Sequence, residues 1–186
     1  MEKKDLGEQK KIEELLEKIK RVQVKNKLDL SPDEDLVLGV MNLISIEEHL
    51  FFTAIKTGKI KYLDVLNEVR QMRKKLLQKI VKDYEGEVWC ISKHLLAATM
   101  RLNEVGTKTL NQGKKKEAWG LFEMAYRLYS LFWGLNLGLV KAQDLKADFK
   151  KNEFIDTEGI VGKSNGKGLM AKLGDMVQKI LDCCRE

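Results

Sequence analysis

Apolar residues recur along most of the chain at intervals of three and four positions, the spacing that places side chains on one face of an α-helix. In the first such segment, residues 8–25, the apolar stripe is narrow and is flanked by lysines and glutamates. Because every long segment has this spacing, the pattern predicts an all-α protein. The predicted helices cover residues 8–25, 31–57, 60–83, 87–111, 115–142 and 168–185.

Short turn signals separate the central helices. Ser31-Pro32-Asp33-Glu34 is typical of a helix start, because serine caps free backbone amides and proline suits the first helical position. Breaks are predicted at Thr57-Gly58-Lys59, Tyr84-Glu85-Gly86 and Asn111-Gln112-Gly113. Turns this short make consecutive helices antiparallel neighbours, so residues 32–142 are expected to form an up-down-up-down four-helix core.

The segments outside this core differ from it in composition. Residues 1–30 predict a flanking amphipathic helix, and residues 167–186 predict a second one at the C-terminal side. Between the core and the last helix, residues 143–166 are rich in Asp, Lys, Asn, Gly and Ser and predict a polar linker. We expect the two flanking helices to pack outside the core or to mediate contacts between subunits.

The fourth core helix is apolar almost all round. It has one aromatic stripe of Trp119, Tyr126 and Trp133 and a second of Phe122, Tyr129 and Phe132. One bundle buries a single stripe easily, so a flanking helix or a second subunit is expected to cover the surplus stripe. This surplus favours a homo-oligomer, or a complex with helices of a partner protein.

Composition narrows the class of protein. The chain has 186 residues, of which 44% are hydrophobic, and a formal net charge of +6. Such a chain buries a real core, which excludes disorder throughout. The cysteine number, 3, is odd and favours a reducing compartment. No signal core or bilayer-length apolar run is evident in the sequence, and residues 118–140 form its richest apolar stretch. A cytoplasmic protein without a membrane partner is therefore expected.

Residues 56–82 concentrate the positive charge, with nine basic residues against Asp64 and Glu68. Lys75, Lys79 and Lys82 share one stripe of the predicted helix 60–83. Arg73 falls inside the apolar arc of this helix, which consists of Val65, Val69, Met72, Leu76 and Ile80. A local basic field attracts phosphate, so weak, nonspecific nucleic-acid contact through these three lysines is one hypothesis. A solvated helix face is the alternative interpretation.

Carboxylates in the middle of the core form the first candidate site. Glu47 and Glu48 lie among apolar stripes, and a buried carboxylate is costly unless it is paired. One hypothesis is a divalent metal held by either Glu47 or Glu48, together with His49, Glu104 and Glu123. The other hypothesis, which we favour, is a salt-bridge layer in which Arg70, Arg101 or Arg127 neutralises the inward carboxylate. The Glu-x-x-His pair of carboxylate-bridged metal bundles is absent.

A second candidate site lies near the start of the predicted helix 87–111. Glu87, Cys90 and His94 have spacings of three and four residues, so they share one side of that helix. Thiolate and imidazole are zinc ligands, and the three residues could supply part of a metal site. The alternative interpretation is a small buried cysteine beside a partly exposed histidine. A Cys90–His94 nucleophile pair has no identifiable orienting group.

Residues 113–129 resemble the second helix of a tetratricopeptide repeat through Ala118, Phe122 and Ala125. The resemblance covers about one helix pair, has no tandem copy and implies hairpin packing without a function. The sequence as a whole favours an interaction or regulatory protein that self-associates and has no identifiable catalysis or cofactor. Metal binding and nonspecific nucleic-acid binding are the alternatives.

Overall fold

A computed structural model describes residues 13–14, 17–18, 20–21, 31–82, 86–141, 173–175 and 177 of the chain. Its four main helices are α1 (Ser31–Thr57), α2 (Lys61–Ile80), α3 (Glu87–Asn111) and α4 (Lys115–Asn136). These helices pack against each other, and no strand occurs among the described residues. The predicted all-α bundle is therefore confirmed.

The turns lie where glycine was expected to allow them. Gly58 and Gly113 have φ angles of 64° and 79°, and Gly86, at the N-cap of α3, has 95°. These left-handed conformations suit glycine because it has no Cβ to clash with the neighbouring carbonyl. Each hairpin consequently reverses within a few residues, and α1–α2 and α3–α4 are antiparallel pairs.

The fourth helix is shorter than the sequence pattern predicted. It ends at Asn136 and not near residue 142, because Gly138 adopts a φ of 70°. The amide of Leu139 donates to the carbonyl oxygen of Gly134 at 2.9 Å, and the amide of Gly138 donates to that of Leu135 at 3.1 Å. Such bonds satisfy the last helical carbonyls and stop the helix.

The hydrophobic core lies at one end of the bundle, where α1 and α3 begin and α2 and α4 end. We call it the closed end, and the opposite end, which holds Gly58 and Gly113, the turn end. All four helices contribute fully buried apolar side chains to the closed end, which removes them from water and stabilises the fold. These side chains include Val37, Val40, Leu77, Leu96, Phe132 and Trp133.

The C-terminal segment covers one flank of α4. Leu173 and Val177 are buried, and Leu173 approaches so closely to Gly134 that a Cβ there would lie 2.8 Å from its Cδ2 atom. The hydroxyl of Tyr126 donates to the carbonyl oxygen of Gly174 at 2.8 Å. Tyr126 and Trp119 nevertheless remain 40% and 66% exposed, so the covering of this stripe by a flanking helix or a second subunit stays a prediction.

The two flanking segments are described only in part. The described residues between 13 and 21 are helical and exposed. The rest of segment 1–30, the whole of the predicted linker 143–166, and most of segment 167–186, including Cys183 and Cys184, lie outside the described residues.

Candidate functional site

A buried ion pair joins α1 to α2 in the middle layer. The Nε of Arg73 donates to Glu47 Oε1 at 2.8 Å, and its Nη2 donates to Oε2 at 3.2 Å. The arginine side chain is 3% exposed and the glutamate side chain 16% exposed. A two-pronged bond of this kind satisfies both carboxylate oxygens and fixes the register of the two helices.

Sequence reasoning foresaw this pair in kind and named the wrong arginine. The predicted apolar face of α2 included Val65 and Met72, whereas the buried residues are Val69, Arg73, Leu77 and Ile80. Arg70 lies on the exposed side of α2. The only sequence signal for Arg73 was its position inside the apolar arc, which marks a charge that needs a buried partner.

Glu48 belongs to a more exposed cluster, and here the predicted arginine is correct. Arg101 of α3 donates to Glu48 through Nη2, and through Nη1 to Glu104 at 2.7 Å. Lys108 also donates to Glu104, at 2.7 Å. The hydrogen bond to Glu48 raises the pKa of Arg101, while the Lys108 ammonium and the Arg101 guanidinium lower the pKa of Glu104.

The other members of the proposed metal layer lie elsewhere. Glu123 accepts a hydrogen bond at 2.5 Å from Arg127, one turn further along α4, and His49 is exposed on α1. Among the residues that the structure describes, no three His, Cys, Asp or Glu side chains form a group that could hold a metal ion. The four carboxylates instead accept hydrogen bonds from arginines. The metal hypothesis for this layer stays a prediction.

Glu87, Cys90 and His94 are all exposed on the first turns of α3. The alternative interpretation of Cys90 as a small buried residue is wrong, because the free thiol faces solvent. The expected zinc contribution from these three residues stays a prediction.

The three lysines of the nucleic-acid hypothesis are exposed along α2 and just beyond it. The ammonium of Lys82 donates to the carbonyl oxygen of Lys79 at 3.0 Å and so closes the C-terminal end of this helix. Lys75 lies one turn before Lys79 on the same stripe. Nucleic-acid contact through these residues stays a prediction.

The most prominent surface feature was not foreseen. Large apolar side chains of α1 and α2 are exposed along much of both helices, and the rings of Phe51 and Phe52 contact each other at 5.1 Å between centroids. Phe51 and Ile55 continue the stripe of Val37 and Met41, which is buried at the closed end. The exposed residues are Leu38, Ile46, Phe51, Phe52, Ile55, Ile60, Leu63, Val65 and Met72.

Residues Asp33–Thr57 of α1 are long and apolar enough to cross a bilayer, judged by length and composition alone. The predictions that residues 118–140 form the richest apolar stretch and that no apolar run has bilayer length are therefore wrong. Core helices of soluble proteins pass the same test when they are mostly buried, but only 17% of the most apolar stretch of α1 is buried. Several of its large apolar side chains, among them Phe51, Phe52 and Ile55, are thus available for contact with another surface.

Comparisons with known protein families, with curated proteins and with solved structures give no match for this chain.

Proposed function

We propose that this chain is a non-catalytic interaction protein that self-associates through one face of α1. The observation that carries the proposal is a stripe of seven positions at intervals of three and four residues, every one of which is exposed. Three of the seven are large apolar side chains, which are costly to leave in water along a continuous strip. We call this stripe the outer face; it consists of Asp35, Leu38, Asn42, Ile46, His49, Phe52 and Lys56.

The order of residues on the outer face is self-complementary. In an antiparallel pair of α1 helices centred near Ile46, Leu38 of one copy lies level with Phe52 of the other. The same alignment sets Asp35 of each copy opposite Lys56 of the second. A two-fold axis brings one patch against itself, so apolar residues meet apolar residues and opposite charges meet at both ends. Antiparallel helices also oppose their macrodipoles favourably.

The internal ion pairs make this face still better suited to a second copy. Glu47 and Glu48 are the remaining carboxylates in the middle of α1, and both are bound by arginines of the same chain. Their charges are therefore already balanced when two α1 helices approach. Interfaces with an apolar centre and a charged rim follow the same general plan.

Sedimentation velocity over a wide range of concentrations tests the proposal. The wild-type chain is expected to show a reversible dimer. Ile46→Lys places two lysines together at the two-fold axis and should weaken the dimer about a hundredfold or more, because opposed like charges cost several kcal/mol. Val105→Lys, at an exposed valine on α3, is the matched control and should leave the dimer intact.

A charge exchange tests the antiparallel alignment itself. Asp35→Lys or Lys56→Asp alone should weaken the dimer, while the two together should restore it, because the end pairs are re-formed with reversed signs. A chain that stays monomeric at every concentration would contradict the proposal. A double variant no better than the single ones would contradict the alignment.

A further inference from the structure

The two interhelical turns lie at the same end of the bundle and at nearly the same height. Helices α1 and α3 run parallel, and Glu48 of α1 pairs with Arg101 of α3. Gly58 follows Glu48 by ten residues, and Gly113 follows Arg101 by twelve. At about 1.5 Å of rise per residue, the two turns are level to within roughly 3 Å. The turn end therefore presents both turns on one side of the molecule.

The three large apolar side chains with the greatest exposed fraction among the described residues lie at this end. Ile60 and Ile55, on either side of the first turn, are 76% and 71% exposed, and Trp119 beside the second turn is 66% exposed. Leu63 and Leu110 add further apolar surface. The largest buried side chains lie at the closed end, whereas the buried apolar residues nearest to the two turns are the small Ala54 and Ala118.

The same end is rich in lysine. Lys59 and Lys61 flank Ile60 at the first turn, and Lys115 and Lys116 precede Trp119 at the second, all of them exposed. Nearby lysines have acidic neighbours within the chain, since Lys108 binds Glu104 and Lys114 lies 3.9 Å from Glu117. The exposed apolar side chains of the turn end therefore lie next to lysines that give this end a net positive charge.

Charge decides which occupant suits this surface. A second copy placed tip to tip would set lysines against lysines, and the repulsion would oppose apolar contact. An anionic bilayer surface accepts both parts at once: the isoleucines enter the acyl boundary, the indole lies at the headgroup level, and the lysines meet lipid phosphates and carboxylates.

We propose that the turn end docks on an anionic membrane surface through Ile55, Ile60 and Trp119, with Lys59, Lys61, Lys115 and Lys116 binding acidic headgroups. This docking departs from the sequence-based expectation of no membrane partner. It does not depend on self-association, because the outer face of α1 and these seven residues do not overlap. The bundle lies on the bilayer and does not cross it, since α1 is tied to its neighbours by the Arg73 and Arg101 ion pairs.

Vesicle co-sedimentation of the full chain tests the docking. Vesicles of phosphatidylcholine with phosphatidylserine should bind the chain at least tenfold more tightly than phosphatidylcholine alone, and added salt should weaken that binding steeply. Ile55→Ser with Ile60→Ser should reduce binding at every salt concentration, because the lost contribution is apolar. Equal binding to both kinds of vesicle, or none to either at low salt, would overturn the proposal.

A matched pair of lysine variants locates the surface. Lys59→Gln with Lys61→Gln should lower affinity for the acidic vesicles by about 25-fold, at roughly fivefold for each lysine near a charged bilayer. Lys75→Gln with Lys79→Gln removes the same charge from the other half of α2 and should have little effect. Equal losses in the two variants would overturn docking through the turn end.

Two further experiments distinguish membrane docking from self-association and from nucleic-acid binding. The monomeric Ile46→Lys variant should still bind acidic vesicles, so failure of the dimer and failure of docking are observed independently. A short RNA duplex added in competition should not displace the chain from vesicles. Binding to RNA without binding to vesicles would overturn the proposal in favour of a nucleic-acid surface.

Discussion

The hairpins α1–α2 and α3–α4 have similar lengths but are held together by different kinds of contact. Towards the turn end, α3 and α4 meet at small residues: Gly106 lies against the ring of Phe122, and Thr99 Oγ1 lies 3.5 Å from the carbonyl oxygen of Ala125. Between α1 and α2 the central contact is the buried pair of Arg73 and Glu47.

This difference explains where the apolar surface lies. Small residues let the α3 and α4 backbones approach closely, so their larger side chains pack over each other. The α1–α2 hairpin has the Arg73–Glu47 pair in its middle, and many of its large apolar residues are exposed. The α1–α2 hairpin accordingly has more exposed large apolar side chains than the α3–α4 hairpin, although Leu110 and Trp119 of the latter are exposed as well.

Removing one member of the buried Arg73–Glu47 pair should have the largest effect on the stability of the chain. Glu47→Ala leaves the Arg73 guanidinium buried without its counter-charge, and we expect a loss of about 3–5 kcal/mol in the free energy of unfolding. Urea denaturation followed by circular dichroism measures this loss. Glu48→Ala, at the half-exposed pair with Arg101, is the control and should cost less than about 1 kcal/mol.

A double replacement distinguishes the pair's specificity from its contribution to stability. Glu47→Leu with Arg73→Met keeps similar volume without charge, and such exchanges are often neutral or stabilising. If the double variant were as unstable as Glu47→Ala, the loss of stability in Glu47→Ala would not be due to the unpaired, buried charge of Arg73.

The contact between α3 and α4 should be sensitive to side-chain volume and not to charge. A Cβ at residue 106 would lie 2.6 Å from Phe122 Cε1, so Gly106→Ala forces the ring to move and should cost about 1–3 kcal/mol. Gly39→Ala provides the matched helical control, because a Cβ there meets nothing within 4 Å. That change should stabilise the chain by about 0.5–1 kcal/mol through helix propensity. Equal effects of the two substitutions would contradict close packing of α3 on α4.

Sequence reasoning predicted the parts of this fold that depend on local chemistry. The bounds of α3 and the positions of the turns follow from glycines and from apolar spacing within one segment. The similarity of residues 113–129 to a repeat helix likewise indicated a hairpin, and Phe122 and Ala125 do lie against α3.

Two of the predictions that failed depend on distant partners. Arg73 replaces Met72 on the buried side of α2 because Glu47, 26 residues away in sequence, accepts its bonds. Phe51 and Ile55 share a stripe with buried Val37, and helix periodicity shows which face is apolar without showing how far along the helix another element covers it. The end of α4 is set locally by Gly138. Apolar residues continue beyond this glycine, and their pattern therefore predicted a longer helix.

The smallest expected effect is on the pH dependence of stability, where two carboxyl groups act in opposite directions. Burial raises the pKa of Glu34, at the start of α1, although its hydrogen bond with Tyr129 of α4 works against this rise. A raised folded-state pKa means that the folded chain binds the proton more tightly, so this group lowers stability as pH rises from about 4.5 through the raised value. Glu104 has a lowered pKa, so its contribution is present above pH 4.5 and is lost as pH falls through the lowered value.

Urea unfolding between pH 3 and pH 7 distinguishes the two groups. Glu34→Gln should stabilise the chain relative to wild type near neutral pH, and the difference should shrink as the medium becomes acidic. Glu104→Gln should do the reverse, with its loss of stability greatest near neutral pH and absent in acid. Parallel stability profiles for both variants would show that neither carboxyl group titrates differently in the folded and unfolded chain. A difference at Glu34 alone would place the sensitivity to pH in the contact between the two hairpins, since Glu34 belongs to one and Tyr129 to the other.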